Sequence, residues 1–498
     1  MLSELLSIPT SSCPGLFYST NAQDGILSRI RIPGGIINSE QCRVISDIAD
    51  VYGGGYVDVT NRANIQIREI RTDINTSLLE RLQNVGLGRN PIVDHIRNIM
   101  TSPTAGIDYQ ELFDTRILVN DWDNYLVSNP GLSGLSAKFS VCFDGGGGVG
   151  VSDIPTVRLS DIPTVRLRER INDIGLFAVN VDGDIYFQLC LCVRKGKPPE
   201  YVGVLLRPEQ CLPVLVALTD VYLDDITQRR RGAEEERGRR VRLREVICDL
   251  GVEEFLGEVE RRLSFTMLRV DGQEHQSQVL DTQYSHVGIH RQRQSGLSYV
   301  GVVVPLGRLE SYQVRGLANL AEIYGSSTLR FTPWQNLLIP DIPNSKLAEV
   351  KSEITRLGLD YSKSNINSAL VACSGTVGCA SSATDTHLHA KEVAKYLENL
   401  IDQPINIHFT GCEKSCAQHH PSDITLLGVS AEVYHVYVGD GEDKFGRKIA
   451  ENLPFSQIPS LIEAMLRTYQ NKRKNPQETF REFINRYEGI GMERGKNQ

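Results

Sequence analysis

The sequence predicts an α+β protein made of two duplicated halves, each with mixed sheets and helices, related by a pseudo-two-fold axis and facing each other across a shared cleft. Three observations predict this. The stretch Ile26 to Ile67 repeats without a gap at Ser298 to Ile339, 272 positions further on. The later parts of the halves also match, more weakly and at a different offset. Four cysteines in two close pairs stand in the second half only, so the duplicated units have diverged in chemistry.

In the strong repeat Pro33 falls on Pro305, Gly35 on Gly307, Ala49 on Ala321, Tyr52 on Tyr324, Gly53 on Gly325, Thr60 on Thr332 and Asn64 on Asn336. Each copy reads as strand, helix, strand. Cys42, Ile45, Ala49 and Tyr52 recur at helical steps, as do Val314, Leu317, Ala321 and Tyr324, giving one buried helical face per copy. Gly53 and Gly325 stand where a left-handed helix cap is expected, and Pro33-Gly34-Gly35 supplies the turn ahead of the helix.

The weaker match sets Asp173–Val179 on Asp423–Val429 and Lys138–Phe143 on Pro404–Phe409. Two halves related in this way leave a cleft between them. The segment from Gln228 to Leu263 separates them and carries eight arginines between Arg229 and Arg244. It reads as a solvated charged loop entering an amphipathic helix, with a docking face for an acidic electron donor as the second reading. SDIPTVRL occurs twice in tandem, at Ser152 to Leu159 and Ser160 to Leu167, as a surface-loop duplication. The glycines at 145–148 lack the spacing and context of a dinucleotide loop.

At 498 residues and 41% hydrophobic content the chain is long enough for several domains. Its 53 Lys and Arg against 61 Asp and Glu give a net charge of -8, which argues against a general nucleic-acid binder, so any anion site has to be built locally. The N-terminus lacks a basic and apolar leader pattern, and no long uncharged apolar run occurs, so a cytoplasmic protein with neither membrane nor nucleic-acid partner is expected. Seven of the eleven cysteines lie outside the four-cysteine segment and show no disulfide-framework spacing.

Asn61 to Arg68 alternates, with Arg62, Asn64, Gln66 and Arg68 on one predicted strand face and Ala63, Ile65 and Ile67 on the other. The second copy has Trp334, Asn336, Leu338 and Pro340 at those places, so it has lost both arginines. Arginine suits bidentate recognition of carboxylates, and Arg97 and Lys138 are further basic candidates for a ligand bearing several of them. In the second half, five residues separate Cys373 from Cys379 and three separate Cys412 from Cys416. The wide first gap favours a [4Fe-4S] cluster over structural zinc or unligated thiols.

These units, together with TNRANIQI, RNIMTSPTAGID, AKF, RLREVICDLGVEEF and the C-x5-C and TGC-x3-C pairs, resemble the nitrite and sulfite reductase haemoprotein superfamily over residues 12–490. The resemblance implies a ferredoxin-like repeat unit over residues 1–75, a substrate-binding domain over 76–227 and a charged helical connector over 228–295. A second repeat unit over 296–345 would pack with the first, and an iron–sulfur domain would span 346–498. It implies a cluster on Cys373, Cys379, Cys412 and Cys416, and a tetrapyrrole held between the halves by Arg62, Arg97 and Lys138, with Asn64 and Arg68 beside them.

Finer details resemble the precorrin-3B synthase branch: Cys13-Pro-Gly-Leu, Ala372-Cys-Ser-Gly, and Gly411-Cys-Glu-Lys-Ser-Cys with His420-Pro. Reductases usually read TGCPNxCG where this chain has Glu413-Lys414, and commonly place a second basic residue where it has Ser140. That branch implies an oxygen-dependent monooxygenase of cobalamin biosynthesis, hydroxylating precorrin-3A at C20 with lactone closure. Dioxygen and an external reductant, a ferredoxin or an NAD(P)H-linked reductase, would be its partners. A mononuclear non-haem iron could draw on His387, His389, His419, His420 and Asp385, although no ligand set is readable and no catalytic residue is assigned. The alternatives are a sirohaem-dependent ferredoxin–nitrite or sulfite reductase, with Cys416 bridging cluster and sirohaem, and a non-catalytic tetrapyrrole-binding iron–sulfur protein.

Overall fold

The computed structural model describes residues 15–17, 20–71, 76–151, 172–194, 199–232, 241–270, 284–419 and 421–487. The tandem octapeptide, His420, Cys13 and the side chains of the arginine run up to Arg240 lie outside this description. Among the described residues, no helix is long and apolar enough to cross a membrane.

Two five-stranded sheets carry the strong repeat, and each borrows a strand from the other copy. The first sheet orders the strands Thr20–Ala22, Gly25–Ile30, Ile65–Ile70, Tyr56–Val59 and then Arg308–Glu310 from the second copy. The other sheet orders Gly288–Arg291, Leu297–Val302, Leu337–Pro343, Thr328–Phe331 and then Ile36–Asn38 from the first copy. Each copy is therefore strand, turn, short exchanged strand, helix and two strands, with one element more than the sequence pattern announced. A three-residue strand has too few side chains for its alternation to stand out.

The helices Ser39–Tyr52 and Ser311–Tyr324 pack on one another and close a single core that draws on both copies. The pseudo-symmetry extends to individual hydrogen bonds. Asn64 Oδ1 accepts from the Ile32 amide at 2.8 Å, and Asn336 Oδ1 accepts from the Val304 amide at 3.0 Å. The Ser39 amide donates to Ser327 O and the Ser311 amide to Gly55 O, both at 2.9 Å. Asn64 and Asn336 thus hold the turn that precedes each exchanged strand.

Gly53 and Gly325 are not left-handed caps, because their backbones are at φ -108° and -118°. Glycine stands there for space: a Cβ on Gly53 would lie 2.9 Å from Arg68 O, and one on Gly325 2.6 Å from Pro340 O. The left-handed residues come two positions later, at Gly55 and Ser327. Gly35 needs both freedoms, since its φ is +71° and a Cβ would sit 2.6 Å from Phe331 O of the other copy. Gly35→Ala is expected to cost about 1–3 kcal/mol, from left-handed strain plus displacement of the exchanged strand. A denaturant midpoint equal to the parent's would show that the backbone can move aside.

The weaker repeat forms the two remaining sheets. In one, Asn98–Thr101, Ser140–Asp144 and Ile174–Val181 run parallel before turning antiparallel through Asp184–Leu191 and Glu200–Leu206 to Leu268–Arg269. In the other, Leu370–Ala372, Ile407–Thr410 and Ile424–Ser430 run parallel before turning antiparallel through Val433–Asp443 and Gly446–Pro454. Asp173 Oδ2 accepts from the Ser140 amide as Asp423 Oδ2 accepts from the Asn406 amide, and each aspartate is gripped by an arginine from a segment further along the chain, Arg242 from the connector and Arg481 from the helix Phe480–Arg486. Helices Leu243–Leu250 and Val252–Glu260 pack Val246, Ile247, Phe255 and Leu256 onto the core of the first of these sheets.

In parallel sheets of this kind ligands gather at the carboxyl ends of the strands, and the halves differ there. After Ile407–Thr410 the chain enters the Cys412 loop. After Ser140–Asp144 it enters Gly145–Gly148, where a Cβ on Gly147 would stand 2.6 Å from the Asp108 carboxylate. The neighbouring Trp334, which occupies the place of Arg62, is buried and stacks on His286 at 4.9 Å among Tyr284, Val149 and Val303. Among the described residues, the first half's counterpart of the cysteine centre is lined by Asp108 and by this aromatic cluster.

Candidate functional site

The four cysteines lie on two loops that leave neighbouring parallel strands. Cys373 ends Leu370–Ala372, where its amide bonds Phe409 O at 3.1 Å. Cys379 follows the one-turn helix Gly375–Gly378, and Cys412 and Cys416 follow Ile407–Thr410. The Gly411 amide donates to Cys373 Sγ at 3.3 Å, and Thr386 Oγ1 stands 3.2 Å from the same sulfur while donating to Cys373 O at 2.9 Å. The loops are also tied to each other through the Ala383 amide and Gly411 O at 2.7 Å.

Desolvation first, and then the sulfurs of Cys412, Cys373 and Cys379, push the Cys416 thiol above its ordinary range. The four sulfurs thus lie within electrostatic reach of one another on two facing loops. Among the described residues no three His, Cys, Asp or Glu groups converge tightly enough for a single ion. Two cysteine pairs on neighbouring loops suit a polynuclear cluster, whose cysteines bind different irons.

The first half meets this cradle directly. Asn61 Nδ2 donates to Cys416 O at 3.4 Å and to Ala417 O at 3.3 Å, which sets the neighbouring Arg62 over the Cys416 loop. Arg62 and Asn64 are not on the predicted alternating strand. Regular pairing begins only at Ile65, and Ala63 has φ +55°, so residues 60–64 form a turn that throws Arg62 toward the cysteines and Asn64 inward.

Lys138 arrives from the other side on a loop clamped by Asn98, whose Nδ2 donates to Ala137 O at 3.2 Å and Phe139 O at 3.0 Å. Arg62, Lys138 and Lys444 surround His419, three residues past Cys416. Burial first, and then these cations in that order, hold the His419 proton off and leave the imidazole neutral. The result is a cationic rim beside the cysteines, able to take a small anion and the carboxylates of a larger one.

Lys444 was missed in the sequence. It sits at the hairpin turn between Val433–Asp443 and Gly446–Pro454, and only the tertiary fold brings it to Glu413 O, which its ammonium caps. Arg68 and Arg97 are directed elsewhere. Arg68 grips Asp24 in bidentate fashion, at 2.7 and 3.0 Å, and donates to Gly378 O at 2.9 Å, so the first half holds the loop between Cys373 and Cys379. Arg97 is buried on Asp123 at 2.6 and 3.0 Å, with Asp94 beside it.

The candidate iron ligands do not converge. Asp385 caps the helix Thr386–Tyr396, His389 bonds Tyr434 Oη at 2.7 Å and stacks on Phe455, and His419 lies on the cationic rim. His387 is pushed down to about 3 by burial, then by Arg308 and Lys391, against Asp385. Its unfolded-state imidazole therefore binds a proton that the folded one refuses. This contribution to stability is complete above pH 6.5 and is lost as the pH falls toward 3, at up to about 1.4 kcal/mol per unit. His387→Gln should flatten that slope in thermal melts against pH, and an unchanged slope would assign it to another group.

Glu413 and Lys414, which set the precorrin-3B reading apart, meet the rim through their backbone alone, Glu413 O taking Lys444 and the Lys414 backbone taking His419. Both are exposed, and Lys414 Nζ bonds Ser381 Oγ on the outer face of the loop at 2.9 Å. Ser140 is buried as the first residue of its strand.

Comparison with known proteins bears on this point. The ferredoxin-like half domain of nitrite/sulfite reductases matches residues 20–85 and 290–357. The nitrite and sulphite reductase 4Fe-4S domain matches residues 93–267 and 364–494. A chloroplastic ferredoxin–nitrite reductase of Zea mays is 30% identical over 83% of this chain and 71% of its own. A ferredoxin–nitrite reductase of Leptolyngbya laminosa is 28% identical over 91% and 88%. The Mycobacterium tuberculosis NirA structure shares the fold, with a TM-score of 0.74 at 24% identity, over 93% of this chain and 84% of that one.

These relatives overturn the expectation of a precorrin-3A monooxygenase, and with it the precorrin and dioxygen partners. The duplicated sheets, the 4Fe-4S domain matched over both halves and the reductase relatives agree: the chain belongs to the nitrite/sulfite reductase family of oxidoreductases.

Proposed function

We propose that the protein is a ferredoxin-dependent nitrite reductase that uses a [4Fe-4S] cluster on Cys373, Cys379, Cys412 and Cys416 together with sirohaem in the cleft above it. One observation carries the reading: Arg62, Lys138 and Lys444, brought by three separate segments, meet around His419 three residues past Cys416, with Asn61 bonded to the Cys416 loop. A cationic rim over a thiolate cradle suits both a tetrapyrrole polycarboxylate and a small oxyanion. The donor is assigned from the names of the relatives, which are ferredoxin–nitrite reductases.

When bound, sirohaem supplies the iron at which a nitrogen oxyanion is reduced, and the cluster stores electrons beside it. This chain's own groups bind and orient. Arg62 and Lys138 offer charged donors to the anion and to ring carboxylates. Asn98 holds the Lys138 loop, Asn64 fixes the turn that presents Arg62, and Arg68 fixes the far wall through Gly378. His419, kept neutral, adds a ring nitrogen to the rim without adding charge.

The test is the absorption spectrum of the purified protein, with iron counts, and turnover with reduced ferredoxin. Sirohaem bands together with nitrite-dependent ferredoxin oxidation and ammonium release are expected. A cluster-only spectrum without nitrite consumption would overturn the reading, as would faster turnover of sulfite than of nitrite.

A further inference from the structure

Away from the cysteine cleft, a polar cavity of about 610 Å³ opens between the segment Asp360–Asn367 and the helix Thr386–Tyr396. Its volume lies in the range of small-molecule sites. Lys391 and Lys395 project from one face of the helix a turn apart, and Ser362, Ser364 and Asn367 face them.

Neither ammonium has a hydrogen-bond or ion-pair partner among the described residues. Like charges one turn apart repel, at a cost of a few tenths of a kcal/mol. On the facing wall Asp360 is fixed in place by the amides of Tyr361 and Ser362 and by Asn365 Nδ2, at 2.6, 3.0 and 2.8 Å, and makes no direct ion pair with either lysine among the described residues. One further turn back, His387 is kept neutral, and Arg308 lies near it. The cavity therefore presents two exposed lysines and serine hydroxyls together with the carboxylates of Asp360 and Glu398, a lining that offers both cationic donors and hydrogen-bond acceptors.

We propose that this cavity binds a small phosphate-bearing, hydroxylated metabolite, with the phosphate between Lys391 and Lys395 and a ligand hydroxyl donating to Glu398. A dianionic phosphate converts the lysine repulsion into two charge-assisted contacts, and the serine hydroxyls supply further donors to its oxygens. The site is independent of the nitrite chemistry and shares no residue with the cationic rim.

Calorimetry on the full-length protein with its cofactors would use glucose 6-phosphate, inorganic phosphate and glucose as probes. Glucose 6-phosphate is expected to bind and glucose not to. Lys391→Ala with Lys395→Ala should weaken glucose 6-phosphate by about tenfold or more, with nitrite turnover and thermal midpoint unchanged. Inorganic phosphate binding as tightly as the sugar phosphate would assign free phosphate as the occupant, whereas weaker binding would assign the metabolite. No binding by either phosphate overturns the proposal, and so does binding that survives the double substitution but is lost in Arg62→Ala.

Discussion

Arg68→Ala is expected to destabilise the protein by about 3–5 kcal/mol and to lower its iron content, although Arg68 touches no cysteine. The guanidinium is buried with 5% of its surface exposed; two of its bonds grip Asp24 within the first half, and the third reaches Gly378 O on the one-turn helix between Cys373 and Cys379. Removing it strands the Asp24 carboxylate and leaves Gly378 O without its donor, so Cys379 loses its fixed place relative to Cys373. Arg68→Lys should rescue little, because one ammonium cannot span a bidentate carboxylate and a carbonyl on another loop. Parent-like unfolding and iron content in Arg68→Ala would show that the loop is held from within the second half alone.

Cys412→Ser should have the larger functional effect: loss of the cluster iron and sulfide, disappearance of cluster absorption and, under the proposed function, loss of nitrite turnover by at least about 10³-fold. Serine preserves the volume but not the soft thiolate that binds iron. The rest of the fold should survive, since the loop is also tied by Ala383 to Gly411 O and by Thr410 Oγ1 to Cys412 O. Binding energy of a resident metal counts toward folding, so the variant should also melt earlier than the loaded parent but no earlier than the parent stripped of iron. A full iron count in Cys412→Ser would exclude this cysteine as a ligand.

The duplication was legible because its carriers are turn and core residues, such as Pro33 and Pro305 or Asn64 and Asn336, which keep the same bonds in both copies. The cysteine pairs were legible through spacing alone. The strand exchange was not, because pairing between residues 38 and 328 leaves no local signature. The strict alternation at 61–68 was misleading: its polar members face different ways once Ala63 turns left-handed, so Arg62 reaches the cleft and Arg68 the loop behind it. Lys444 could not be placed without the hairpin that carries it. The branch-specific flanks at Glu413 and Lys414 misled for a physical reason, since their side chains are exposed and only their backbones, common to any residue type, meet the rim.

The exchanged strands also dictate an order of events in time. Ile36–Asn38 finds its partner only in Thr328–Phe331, and Tyr56–Val59 gains its outer neighbour only from Arg308–Glu310. Closing so long a loop is slow, and contacts of such high sequence separation form late. A ribosome must therefore have released nearly two-thirds of the chain before the N-terminal sheet can be completed, and until then its edge stands open to association with other chains. Expression of residues 1–290 alone should give an aggregating fragment, which co-expression with the remainder restores to solution.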